Sequence, residues 1–113
     1  NGAICHPEFD AKARKKMADI LDVEVVPGTV ARLPIVGANT VANAQGAVVH
    51  PMATDQEIDV IAELLKVVVE VGTVNRGSPY IRLGVVANTD GMIAGEETTG
   101  VELAHISQVL GFV

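Results

Sequence analysis

The sequence predicts an α/β chain made of about two and a half tandem copies of one strand, strand, helix unit, and three observations predict it. The first is a period: Gly2, Gly46 and Gly91 stand 44 and 45 residues apart, and Gly28-Thr29-Val30 returns as Gly72-Thr73-Val74. Self-similarity at a fixed spacing is the mark of a repeated architecture. The second is the wording around those glycines, where NAQGAVVHP (Asn43 to Pro51) echoes the opening NGAICHP and returns as NTDGMIAGE from Asn88. A turn followed by a short apolar run reads as a hairpin feeding a buried strand. The third is composition: apolar residues are 49% of the chain and aromatics only 3%. Val, Ile, Leu and Ala must therefore fill the core, which suits sheets covered by helices.

Each helix is announced by its cap. Asp10, Thr54 and Thr99 each stand eight residues past a turn glycine, and all three side chains can accept hydrogen bonds from a helix's free N–H groups. Thr54 with Glu57 and Thr99 with Glu102 also fit the capping box, whose carboxylate reaches back to the cap residue's own N–H. Beyond the caps, the equivalent sets Met17/Ile61/Ile106, Ile20/Leu64/Val109 and Leu21/Leu65/Leu110 predict one buried stripe per helix. Lys12, Lys15, Lys16 and Asp19 face outward in the first, and Asp55, Asp59 and Glu63 in the second. Extended stretches follow at Val23 to Val30 and Val67 to Val74, then a turn region, then an apolar strand ending at Asn43 or Asn88. The units span residues 1–27 in part, 28–71, and 72–113, the last stopping after its helix. A copy of this kind cannot bury both faces alone, so neighbours share a core and an interrupted copy leaves a raw sheet edge.

Composition also limits function. A net charge of −6 opposes wrapping of nucleic acid, which needs clustered Lys and Arg. With Cys5 as the one cysteine, an internal disulfide and a multi-thiolate zinc site are both excluded, in keeping with a reducing compartment. No apolar run approaches the ~18 to 20 residues of a membrane span, and a cytoplasmic location is expected, with no cofactor. Asn1 rather than Met opens the chain, which suggests that further sequence precedes it. His6-Pro7 and His50-Pro51 are equivalent across units at expected strand ends, but no carboxylate or thiolate at ligand spacing accompanies them, so a paired-histidine metal site is not supported. Gly28, Gly46, Gly72 and Gly91 read as turn glycines that adopt positive φ.

At GTVNRGSPY (Gly72 to Tyr80), VANTDGMIAG (Val86 to Gly95) and ETTGVELAHISQVLG (Glu97 to Gly111), the chain resembles the translation initiation factor 6 family, the ribosome anti-association factors of archaea and eukaryotes. Gly28 to Pro51 resembles the preceding repeat of that family. The resemblance implies a pentein, or α/β propeller, of five repeats about a pseudo-fivefold axis, with this chain its C-terminal half. A companion half or a second copy of the chain would complete the ring. The implied role is steric and non-enzymatic. Such a protein binds the large ribosomal subunit, mainly through ribosomal proteins near the sarcin-ricin loop with limited rRNA contact, and blocks the small subunit. In eukaryotes a part in large-subunit maturation is also implied.

By that resemblance the binding surface lies between the Gly-Thr-Val word and the following Asn. It takes in Gly37, Ala38 and Asn39 of one unit and Arg76, Ser78, Pro79 and Tyr80 of the next. Tyr80 leads the set, because a tyrosine in a turn-rich stretch supplies contact area with few rotors to freeze. Arg32, at the place equivalent to Arg76, could meet acidic groups or phosphate. Two rival readings remain. The same fold hosts arginine-modifying enzymes with a Cys nucleophile, yet Cys5 and His6 are neighbours in an expected strand and point to opposite faces. A purely structural half-ring with no partner of its own is the other.

Overall fold

The computed structural model describes residues 2–32 and 36–112. Leu33, Pro34 and Ile35, part of the expected turn region after the first Gly-Thr-Val word, lie outside the described residues, as do Asn1 and Val113. The fold is mixed α/β, with the element order β1 (Gly2–Cys5), α1 (Ala11–Leu21), β2 (Glu24–Pro27), β3 (Thr40–Ala42), β4 (Gly46–Val49), α2 (Asp55–Leu65), β5 (Val68–Val71), α3 (Ile81–Gly84), β6 (Val85–Ala87), β7 (Met92–Ala94) and α4 (Gly100–Val109). The strands form three small sheets: β1-β2, β3-β4-β5 and β6-β7. β1-β2 and β4-β5 are parallel pairs across a helical crossover, whereas β3-β4 and β6-β7 are antiparallel hairpins. Among the described residues no sheet closes into a barrel.

The central strand β4 divides the core. Successive strand side chains point to opposite faces, and here Val48 enters a cluster with Val41, Val74, Ile81, Val85, Ile106, Val109 and Leu110. Val49 enters another with Val30 and Ile61. β4 is consequently buried along its whole length, with α4 against one side and α2 against the other. Asn43 fastens the neighbouring hairpin, donating from Nδ2 to the carbonyls of Leu110 (2.8 Å) and Asn88 (3.2 Å).

All three expected caps form: Asp10, Thr54 and Thr99 each accept a backbone N–H three residues on, and the last two close full capping boxes. The buried stripes are unequal. Ile61 is buried in α2 and Ile106 and Val109 in α4, while α1 buries no residue and leaves Ile20 at 73% and Leu21 at 57% exposure. β4 brings a second layer over α2 and α4 that α1 does not receive, so the same apolar spacing ends in water there.

Two further expectations change. Between the expected turn region and the strand ending at Asn88, Ile81–Gly84 makes a single helical turn after Pro79 that the expectation did not include. That turn swings Gly84 against Val74, whose Cγ2 would lie 2.5 Å from any Cβ at residue 84. The turn glycines also serve a different purpose from the one expected. Gly77 and Gly111 are the glycines with positive φ; Gly46 is needed because the Val109 carbonyl occupies the space of its missing Cβ, and Gly72 because Val48 Cγ1 lies 2.8 Å from where one would sit.

Candidate functional site

The Gly-Thr-Val words and the capping boxes, read separately in the sequence, form single devices. Glu102 closes the α4 box by accepting from Thr99 N (2.9 Å), and its carboxylate also accepts from Thr73 Oγ1 (2.5 Å), Arg76 N (2.9 Å) and Gly77 N (2.8 Å). Glu57 repeats the set at α2, accepting from Thr54 N (2.9 Å), Thr29 Oγ1 (2.6 Å), Ala31 N (2.8 Å) and Arg32 N (2.9 Å). Each glutamate thus pins the loop that follows a Gly-Thr-Val word to the start of a helix more than twenty residues away. The signal was available: Thr29 precedes Glu57 by 28 residues and Thr73 precedes Glu102 by 29.

The pinned loops hold backbone shapes that cost energy. Ala31 (φ 55°) and Arg32 (φ 62°) in one, and Asn75 (φ 46°) and Arg76 (φ 62°) in the other, are consecutive left-handed residues without being glycine. Such a residue costs roughly 1–2 kcal/mol, and hydrogen bonds to a carboxylate, about twice as strong as neutral ones, offset that cost. Burial is the largest single influence on each carboxyl and pushes its pKa up. The hydroxyl and backbone donors together outweigh it and bring Glu57 and Glu102 from 4.5 down to about 2.

Of the residues implicated in binding, Ala38 and Tyr80 sit on segments that touch. Ala38 accepts at its carbonyl from Arg82 N (3.2 Å), which ties the 36–39 loop to the turn that follows Tyr80. The Tyr80 ring stands edge-on to His50, centroids 6.0 Å apart, and remains 40% exposed. Ser78 closes its own loop on Val74 through two backbone bonds, 2.7 and 3.0 Å, and Pro79 accepts from Ile81 N. Gly37 is exposed, and so is the Arg76 side chain, whose Nε meets Glu97 at 3.3 Å. Asn39 is placed differently: its side chain is fully enclosed, and neither amide atom has a hydrogen-bond partner among the described residues. Its carbonyl accepts from His50 N at 2.9 Å, so it supports the loop from within.

The His-Pro words are turn-makers. His50 Nδ1 accepts from Met52 N and His6 Nδ1 from Glu8 N, both at 3.0 Å, and each ring has an aromatic neighbour at its edge, Tyr80 and Phe9 respectively. The Cys5 thiol is free and buried. Among the described residues, no three His, Cys, Asp or Glu side chains gather as a metal site would require, and no helix is long and apolar enough to cross a membrane.

Together these loops present contact area and backbone hydrogen-bonding edges, and among the described residues no metal-binding cluster. The chain belongs to the eIF-6 family, whose model matches residues 1–109. It is 47% identical over 109 residues to the translation initiation factor 6 of Pyrobaculum aerophilum, covering 96% of this chain and 50% of that protein. It is 40% identical over 111 residues to that of Pyrococcus abyssi, covering 98% of this chain and 49% of the relative. The chain therefore spans about half the length of the curated relatives it matches. They bear the name of a translation initiation factor.

Proposed function

We propose that this chain binds the large ribosomal subunit and keeps the small subunit from joining it, acting as a rigid obstacle. The observation that carries the reading is the meeting of the Gly37–Asn39 and Arg76–Tyr80 loops through the Ala38–Arg82 hydrogen bond and the Tyr80–His50 ring contact. A surface already fixed before docking loses little entropy on binding, and the Glu102 anchor on Arg76 and Gly77 fixes one of the two loops. Gly37, Ala38, Arg76, Ser78, Pro79 and Tyr80 make the contact face, with Asn39 beneath it. The partners are ribosomal proteins near the sarcin-ricin loop, with a limited share of rRNA.

The unit order is that of a five-repeat propeller, and further units cover the apolar ends. Ile20 and Leu21 on α1 and Val86, Ile93 and Val101 on the β6-β7-α4 side are exposed at opposite ends of the element order, which suits completion by a companion half or by a second copy. Co-sedimentation with purified large subunits, paired with a subunit-joining assay and with the companion half added in one arm, tests the proposal. Binding that blocks joining is expected in the completed arm. Tyr80→Ala should weaken sedimentation about tenfold, or about 1.4 kcal/mol, with helix content unchanged. Completed protein that leaves joining untouched would remove the proposal.

A further inference from the structure

Half of the chain's cations sit on eight residues. Lys12, Arg14, Lys15 and Lys16 lie within 11–18, which hold no carboxylate, while all fourteen Asp and Glu and the other four Lys and Arg are distributed over the rest. The structure places Lys12, Lys15 and Lys16 exposed on α1; Arg14 is half-buried and donates from Nη1 to the Phe9 carbonyl at 2.6 Å. The ion pairs among the described residues, Arg76–Glu97 and His105–Glu70, leave α1 out. On α1 and at its N-cap the carboxylates are Asp10, engaged through Ala13 N, and Asp19 one turn past Lys15, with Glu8, Asp22 and Glu24 in the flanking segments.

Lys12 and Arg14 also stand in the first turn of α1, the wrong end of the helix for its stability. A helix N-terminus carries partial positive charge and favours Asp and Glu. α2 obeys with Asp55 and Glu57 in its first turn and α4 with Glu102, whereas the first turn of α1 has no acid. Three lysines at i, i+3 and i+4 are neighbours on one face, and their mutual repulsion is relieved by an anion. A local departure from what stabilises the element is expected where function requires it.

From this charge arrangement we infer that the outward face of α1, formed by Lys12, Lys15 and Lys16, contacts the phosphate backbone of structured RNA. The inference rests on the ribosome-binding reading and names a second contact of the same complex, away from the Tyr80 loops. Lysine is depleted at protein–protein interfaces, and its compact charge suits phosphate oxygens without requiring the paired geometry of an arginine fork. α1 itself carries no aromatic side chain on which a base could stack, so the contact is with the backbone and indifferent to sequence. The overall −6 charge does not forbid it, because exposed charges beyond about 8–10 Å are screened at physiological salt.

The test is fluorescence anisotropy of a labelled 20-base-pair RNA duplex titrated with the full chain between about 25 and 200 mM KCl, with poly-glutamate in a second arm. Three phosphate contacts give a slope of about −2.7 in log affinity against log salt. The variant Lys12→Gln/Lys15→Gln/Lys16→Gln, whose helix content is checked by circular dichroism, should bind at least tenfold more weakly at low salt and lose most of that slope. Duplex binding unchanged in the variant, or poly-glutamate bound as tightly as the duplex, would overturn the inference. Large-subunit sedimentation of the wild type is read separately, so a failure here is distinguishable from a failure of the ribosome-binding reading.

Discussion

Glu102 shows how much one side chain can carry. It satisfies a helix end, holds a threonine hydroxyl and fixes two left-handed loop residues beside the proposed contact face. Its pKa, like that of Glu57, falls from 4.5 to about 2, a shift equivalent to about 3 kcal/mol for a fully shielded group. Both carboxylates lie at a water-facing rim, where screening reduces this to about 1–2 kcal/mol each. Because the folded value is the lower one, the stabilisation is complete above pH 4.5 and is lost as pH falls through about 2. Glu57→Gln and Glu102→Gln should each lower the melting temperature at pH 7 by several degrees and flatten its decline between pH 4.5 and 2, checked by thermal melts over that range. A decline as steep as in the wild type would contradict the assignment. Asn39→Ala supplies the contrast: its enclosed side chain should be felt in melting temperature, while subunit affinity of the folded variant stays within about twofold, read by sedimentation. The caps were legible because capping depends on residues three apart. The longer tie from Glu102 to Thr73 left its one trace in the paired spacings, 28 residues at Glu57 and 29 at Glu102, because contacts so distant leave no local pattern.

Among the elements, β4 organises the rest by giving a core cluster to each face. Its opening glycine is required by the approach of α4, whose Val109 carbonyl fills the place of a side chain at Gly46. Gly91, at the matching place before β7, has nothing within 4 Å of its missing Cβ. Gly46→Ala should therefore cost more than about 2 kcal/mol in chemical denaturation, while Gly91→Ala stays within about 0.5 kcal/mol. Equal costs would return both glycines to a turn role. Element type was readable from the sequence because apolar spacing and caps are local, as at Thr54 and Ile61. The helical turn at Ile81–Gly84 was not, since four residues are too few for an apolar period to show; Gly84 packs closely on Val74 there. Burial of α1 was likewise misjudged at Ile20 and Leu21, because periodicity reveals which side of a helix is apolar and not whether anything covers it.

At the scale of the whole molecule, the described chain extends 43 × 27 × 22 Å, with exposed apolar side chains from Ile20 and Leu21 on α1 through Met52 and Leu83 to Val101 on α4. The candidate loops come from segments about forty residues apart in sequence, and their meeting at Ala38 and Arg82 depends on how neighbouring hairpins pack. The resemblance pointed to these residues, while their proximity emerged only from the fold. The central claim is that the two loops bind as one surface. Amide hydrogen exchange on the completed protein, with and without purified large subunits, tests it most directly. The account predicts that slowing at Gly37–Asn39 and at Arg76–Tyr80 appears together on subunit addition; subunit-bound protein in which both loops exchange as freely as before would contradict it.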